Sequence, residues 1–357
     1  MKAVVYKGPR TLVVERVPAF KPDYDQVIIE VKSCGICGSD LRYYEGENPW
    51  ALHTLGINTP SQRNMILGHE FSGVVVEAGS KDAEALIGKR IVAIPYNTCG
   101  TCELCLTGRY HLCRKTKHLG HGAGWGLMDY YPGGMAEYCP VWRTHALEIP
   151  EKISYDEATL IDPLSVAIHA IKLSGIKPVD DVLVLGTGPV GLCLAQAVRA
   201  FGAGHVFCTD IIDAALQIAR EVGIDDALNA MNVDVCETIM RLTNNRGIDI
   251  VFDTVGSADS QRQALQVLAV SGILVNLVAN ESSVTYRLLD LSGERRIICS
   301  ANSKYEDYLL GIKMLENGTM NAKALITHRF PIDKANDAFN ILHDRGKNGA
   351  MKVIINP

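Results

Sequence analysis

A strand-like run, Val182–Leu185, leads directly into Gly186-Thr187-Gly188-Pro189-Val190-Gly191 and then into the helical pattern LCLAQAVRAFG. This order constrains the fold more than any other feature of the chain. A lone G-x-G-x-x-G run is a weak signal, but between a strand and a helix each glycine has a task. The first makes the turn, the second lets backbone approach a pyrophosphate, and the third allows close helix–strand packing. Free N–H groups and the dipole at the new helix's N-terminus favour phosphate. Gly186, Gly188, Pro189, Val190 and Gly191 are therefore candidate cofactor-binding residues. Asp210 ends the next strand-like run, HVFCTD, where a carboxylate can accept from both ribose hydroxyls and would repel a 2′-phosphate. Ile211, Ile212 and Ala215 follow without a nearby Arg or Lys, so NAD is expected rather than NADP.

Strand and helix patterns keep alternating after this loop: DAALQIAREVG, DIVFDTVG, SQRQALQVLAVSG and ILVNLV. Such alternation predicts a doubly wound parallel sheet covered on both faces. The first roughly 150 residues read differently, as short apolar alternations broken by Gly and Pro, which predicts a mostly β domain. Near the C-terminus DKANDAFNILHDRG precedes the strand-like MKVIIN. This tail is expected to return to the first domain. The predicted organisation is one α/β chain with a mostly β domain over 1–153 and 298–357 and an inserted dinucleotide-binding domain over 154–297. The length of 357 residues suits two cores. A net charge of −5 without a Lys/Arg block excludes an electrostatic footprint for nucleic acid. No apolar run approaches the ~20 residues that span a bilayer, so no membrane partner is expected.

Cys99, Cys102, Cys105 and Cys113, in CGTCELCLTGRYHLC, have the spacing of a closed tetrahedral zinc site in a lobe over about residues 95–115. Gly100 and Gly108 supply the backbone freedom that such a knuckle needs. A disulfide reading requires an oxidising compartment. The N-terminus MKAVVYKGPRTLV has no long apolar stretch of the signal-peptide type, so a cytoplasmic location is expected. Upstream lie Cys34-Gly35-Ile36-Cys37-Gly38-Ser39-Asp40 and Gly68-His69-Glu70. Alone, the first is a CxxC compatible with a redox pair. Beside a cysteine knuckle and a dinucleotide fold, Cys, His and carboxylate read as ligands of a second, open zinc.

CGICGSD, GHEFSGVVVEAG, the four-cysteine lobe, GGMAEY, GTGPVG and the closing MKVII together resemble the zinc-dependent medium-chain dehydrogenase/reductase family of alcohol and polyol dehydrogenases. The resemblance covers essentially the full length and implies a GroES-like catalytic domain carrying an inserted Rossmann domain. It also implies two zinc ions per chain, catalytic and structural, and assembly as homodimers or homotetramers. It puts the catalytic zinc on Cys37, His69 and either Glu70 or Asp162 of LIDPLSVAIHA. Zinc there would polarise the substrate oxygen, Ser39 would accept the substrate proton, and Asp40 would orient His69 from its other ring nitrogen. Cys34 reads as a bystander. The implied reaction interconverts a secondary alcohol of a polyol, sugar or related hydroxy compound with its ketone. The alternatives are a short-chain primary alcohol or formaldehyde dehydrogenase and, in another class, a non-catalytic NAD-binding relative.

Several positions depart from the family pattern. Asp162 stands where related polyol dehydrogenases often have glutamate; the resemblance leaves it either binding zinc directly, as in glutathione-independent formaldehyde dehydrogenases, which GAGWGLMDYYPGGMAEY also resembles, or acting through water while Glu70 ligates. Arg42 replaces a histidine that ends the proton relay in many relatives, so the relay must finish on water or ribose. Its guanidinium suits a cofactor phosphate or an anionic substrate group. Ser303-Lys304 occupies the place of an Arg-Tyr pair in sorbitol dehydrogenases, which argues against sorbitol. The long segment Tyr44–Met65 is expected to border the substrate cleft with Trp50, His53 and Asn58. Trp125 and Tyr130 are candidates for another wall. His111, His118 and His121 read as structural or surface residues, since four thiolates already complete the lobe's tetrahedron.

Overall fold

The computed structural model describes residues 1–357. The chain divides into two compact units. One comprises Met1–Asp162, Lys304–Glu316 and Ile326–Pro357, the other Pro163–Ser303 and Asn317–Leu325. The division thus falls after Asp162 and Ser303 rather than at 153 and 297, and Asn317–Leu325 joins the second unit. No helix is long and apolar enough to cross a membrane.

The first unit is built on a seven-stranded sheet. Its spatial order is Ala146–Glu148, Arg90–Ala93, Glu70–Ala78, Gln26–Gly35, Lys352–Asn356 and Ile326–Pro331, with Tyr138–Trp142 also paired to Gln26–Gly35. The C-terminal strand therefore does return to the N-terminal unit. Val27, Ile29, Val31, Phe71, Val75, Val353 and Ile355 share one buried cluster, where the strands' alternating apolar positions meet. Register positions the chemistry: Gly35 pairs with Glu70 on one side and with Ile354 on the other. That brings the turn after Gly35, which carries Cys37, beside His69 and Glu70. A side chain at position 35 has no room, because its Cβ would lie 2.5 Å from Lys352 Cε and 2.7 Å from Glu70 Oε2.

The second unit holds a six-stranded sheet in which every neighbouring pair is parallel. Its order is Asp226–Asn229, Val206–Asp210, Val182–Leu185, Ile248–Asp253, Leu268–Asn276 and Arg296–Cys299. Numbered along the chain this is 3-2-1-4-5-6, the doubly wound order. Val182–Leu185 is buried throughout, which is why it reads as an unbroken apolar run instead of an alternation. Strand order reverses between it and Ile248–Asp253, so the glycine loop lies at the switch point where open α/β sheets bind ligands.

Candidate metal centres and dinucleotide loop

The four lobe cysteines converge with Sγ–Sγ separations of 3.9 Å (Cys99–Cys105), 3.5 Å (Cys102–Cys105), 3.9 Å (Cys102–Cys113) and 3.6 Å (Cys113–Cys99). With Zn–S bonds of about 2.3 Å, a regular tetrahedron has edges of about 3.8 Å. Disulfides would require about 2.05 Å. None of the eleven cysteines is disulfide-bonded. Gly100 and Gly108 both adopt positive φ, 67° and 76°, at the bends of the knuckle. Backbone N–H groups of Thr101 and Cys102 lower the Cys99 thiol to about 6, whereas burial pushes Cys113 up to about 12. The donor set fits one zinc with no coordination position left over.

A second convergence joins Cys37, His69 and Glu70, whose donor atoms all lie within 4.8 Å of one another. Cys37 is the N-cap of helix Gly38–Glu45. Asp40, in the first turn and fully buried, clamps both ligand-bearing loops: Oδ2 accepts from Cys37 N at 2.9 Å and Oδ1 from Gly68 N at 3.2 Å. Asp40 Oδ1 also stands 3.7 Å from His69 Nδ1, which has no hydrogen-bond partner. Ser39 Oγ lies 3.5 Å from His69 Nε2. Burial raises the Cys37 thiol, and the Asp40 charge adds to the effect. A thiol and carboxylates crowded out of water favour their charged forms only beside a cation, and a divalent ion supplies that condition. Cysteine, histidine and carboxylate with a place for substrate fit zinc. Cys34 is buried and its thiol pushed well up by desolvation, which makes it unreactive.

The two carboxylates that the sequence leaves open as zinc ligands have different partners. Glu70 Oε2 pairs with Lys352 Nζ, with side-chain exposures of 2% and 0%. Lys352 also donates to Ile36 O at 3.2 Å. Burial draws its ammonium down to about 8, against the upward pull of the nearby Cys37, Asp40 and Cys34. Asp162, in the first turn of helix Ile161–Ser174, accepts from the Tyr308 hydroxyl. Burial raises its carboxyl, while the nearby His69 and the Tyr308 hydroxyl act the other way. Glu70 belongs to the tight three-atom cluster and Asp162 does not.

The three histidines expected as structural or surface residues fall in two places. His111 sits in the lobe's Tyr110–Leu112 turn, but His118 and His121 pack toward His69. His118 lies edge-on to His69 at 6.0 Å, His121 stacks on His118 at 3.9 Å, and Tyr43 stacks on His121 at 5.3 Å. His118 Nδ1 bonds Leu119 O at 2.7 Å, and burial lowers its ring to about 3 and that of His121 well below the ordinary value. Both rings are therefore neutral. The available signal was the His-x-x-His spacing in HLGH beside the glycines of GHGAGWG.

A cavity of about 370 Å³ opens beside this ladder, lined among others by Asn48, Trp50, Thr59, Gln62 and His121. Trp50 therefore borders a cavity, whereas Asn58 braces its own loop by accepting from Asn48 N at 3.2 Å. His53 lies on helix Pro49–Leu55. Trp125 stacks on Trp142 at 5.6 Å, and Tyr130 lies under the Lys7 ammonium. Arg42 Nε donates to Glu47 Oε2 at 2.6 Å.

In the second unit Gly186 has φ 88°, and a Cβ there would meet Thr254 Oγ1 at 2.6 Å. A Cβ on Gly191 would lie 1.9 Å from Gly186 O, so the third glycine is required by close packing. Gly188 caps helix Pro189–Ala200 and Pro189 opens it, leaving the first-turn N–H groups free for an anion. Asp210 Oδ2 accepts from Thr187 N and Oγ1 at 2.8 and 2.9 Å, and Oδ1 from Ile211 N and Ile212 N at 2.8 and 3.1 Å. The acidic residue thus also braces the glycine loop, a role not legible in its spacing.

Comparison with known proteins matches residues 23–151 to the alcohol dehydrogenase GroES-like domain and residues 189–317 to the zinc-binding dehydrogenase domain. Sorbitol dehydrogenase of Bacillus subtilis is 31% identical over 358 residues, covering 100% of this chain and 97% of that protein. L-threonine 3-dehydrogenase of Coxiella burnetii is 32% identical over 351 residues, covering 96% and 95%. A zinc-binding dehydrogenase of Sinorhizobium meliloti 1021 solved with NADP superposes with a TM-score of 0.88 at 29% identity, over 100% and 99% of the two chains.

Proposed function

Because the chain belongs to the zinc-dependent medium-chain dehydrogenase family, we propose that it interconverts a secondary alcohol of a polyol, sugar or related hydroxy compound with its ketone, using NAD. The observation that carries this reading is the convergence of Cys37, His69 and Glu70 beneath the Asp40 clamp, with Asp162 buried nearby. Cys37 and His69 hold the catalytic zinc together with Glu70 or Asp162, and Cys99, Cys102, Cys105 and Cys113 hold a structural one. When bound, zinc supplies Lewis-acid polarisation of the substrate oxygen and NAD supplies the hydride acceptor.

The chain's own groups do the rest. Asp40 fixes the Cys37 and Gly68 backbones and sets its carboxylate 3.7 Å from His69 Nδ1, so the loops that carry both ligands need not reorganise as charge develops. Ser39 Oγ, beside His69, accepts the substrate proton and hands it toward solvent. Its relay ends on water or cofactor ribose, because Arg42 cannot accept a proton. Arg42, steadied by Glu47, serves an anionic group of cofactor or substrate. Asn48, Thr59, Gln62 and neutral His121 offer hydrogen-bonding groups around the cavity, which suits a substrate with several hydroxyls better than a simple alcohol. Asp210 disfavours a 2′-phosphate. Cytoplasmic location and assembly as a homodimer or homotetramer complete the proposal.

A panel of polyols, sugars, threonine, short primary alcohols and formaldehyde, followed by NADH absorbance, tests it. Turnover of several secondary polyols is expected. Turnover confined to formaldehyde or primary alcohols overturns the substrate class, and a lower KM for NADP than for NAD overturns the cofactor reading. One zinc per chain with no turnover of any substrate identifies a non-catalytic relative.

A further inference from the structure

Helix Tyr305–Glu316 belongs to the first unit although the segments on both sides of it, Ser303 and Asn317–Leu325, belong to the second. Two tyrosines inside the first unit, together with Ile312 and Leu315, tie it there. Tyr110 stands in the cysteine lobe, in the turn whose Tyr110 O accepts from Cys113 N at 2.9 Å. Its hydroxyl accepts from Tyr305 N at 2.8 Å and donates to Glu306 Oε2 at 3.2 Å, so it seizes the first turn of the helix at two points. Lys304 N donates to Asp307 Oδ2 at 2.8 Å and closes the same turn from within. Three residues beyond Tyr305, on the same side of the helix, Tyr308 is buried beside Tyr96, Ile161 and Ile312 and donates its hydroxyl to Asp162.

We propose that Tyr308 and Tyr110 are positioning residues for the catalytic metal: Tyr308 holds the Asp162 carboxylate, and Tyr110 anchors the helix that carries Tyr308 to the cysteine lobe. The four-thiolate centre then has a task in the reaction as well as in the fold, because its rigidity reaches Asp162 through one helical turn. The device suits an aspartate. Its carboxylate extends one methylene less than a glutamate's and has less latitude to find a metal unaided. Carboxylate ligands are themselves generally hydrogen-bonded, and loss of such an outer partner weakens metal affinity about 10–100-fold. Tyr308 donates to Asp162 Oδ1.

The inference rests on Asp162 serving as a zinc ligand, so the experiment separates the two. Zinc-loaded full-length protein is titrated with a chelator, and the catalytic ion is identified as the one absent from Cys37→Ser. Tyr308→Phe is expected to lower the chelator concentration that strips this ion about ten-fold, and Tyr110→Phe by several-fold, with the lobe zinc retained. Cobalt(II) reconstitution adds a signature that packing alone does not move: the ligand-field bands of the catalytic site should shift in both variants. Wild-type stripping and bands in either tyrosine variant, while Asp162→Asn loses the ion, overturn the proposal. Wild-type behaviour of Asp162→Asn instead removes Asp162 from the ligand set.

Discussion

Replacement of Lys352 by Met should destabilise the first unit by several kcal/mol. Met preserves most of the volume of the lysine stem, which packs against Gly35. It removes the only cation paired with Glu70 and the donor to Ile36 O. A carboxylate left buried without its counter-charge costs about 3–5 kcal/mol. Glu70→Gln leaves the opposite fragment, a buried lysine already drawn down to about 8. Shedding that proton at pH 7, measured from the ordinary lysine value of about 10.4 in the unfolded chain, costs up to about 4.6 kcal/mol, so this variant should also lose several kcal/mol. The double variant should be more stable than Lys352→Met, since no unpaired charge remains. Urea unfolding followed by tryptophan fluorescence suits the test, because all three tryptophans, Trp50, Trp125 and Trp142, lie in the first unit. Curves would be compared at matched zinc content. A Lys352→Met curve within about 1 kcal/mol of wild type, or a double variant no more stable than Lys352→Met, refutes the reasoning.

Gly191→Ala should weaken dinucleotide binding about ten-fold or more, because the new Cβ would lie 1.9 Å from Gly186 O; titration calorimetry with NADH measures it, and unchanged affinity contradicts the packing role. Cys37→Ser should lose the catalytic zinc and turnover while circular dichroism stays native. Cys99→Ser should lose the lobe zinc and, with it, solubility or assembly, as metal analysis and light scattering would read. Asp156 supplies a pH test. Burial would raise its carboxyl, but hydrogen bonds from Ser33 and Arg329 hold it below the ordinary 3.8. As pH falls the unfolded chain takes up this proton first, so the contribution is complete above that value and disappears as pH drops through the folded one. Asp156→Asn should therefore lose less stability than wild type between pH 5 and pH 3. Equal losses in acid denaturation curves would remove Asp156 from that role.

Local spacing made much of this protein legible. The strand–glycine–helix order predicted a doubly wound sheet because each glycine's duty is set by atoms within a few residues. The cysteine spacing predicted a closed lobe for the same reason: loops of two and seven residues bring four thiols together whatever else the chain does. Cys37 and His69 were found as motifs, although 31 intervening residues separate them, because each carries its signature in its own neighbours.

What sequence reading could not supply is partnership across distance. Lys352 lies 282 residues from Glu70, and only the strand register of Gly35 with Glu70 and Ile354 brings it there. Tyr308 meets Asp162 across 146 residues through a helix that looks ordinary in sequence. His118 and His121 read in sequence only as structural or surface residues, yet in the fold they form a ring ladder that reaches His69. The sequence by itself determined which elements form and which residues can bind metal or dinucleotide, since hydrophobic period, turn chemistry and ligand spacing act locally. Tertiary structure alone decided which carboxylate answers to a lysine and which to a tyrosine. Burial and register set the electrostatics of each group, and neither is a property of any short stretch of chain.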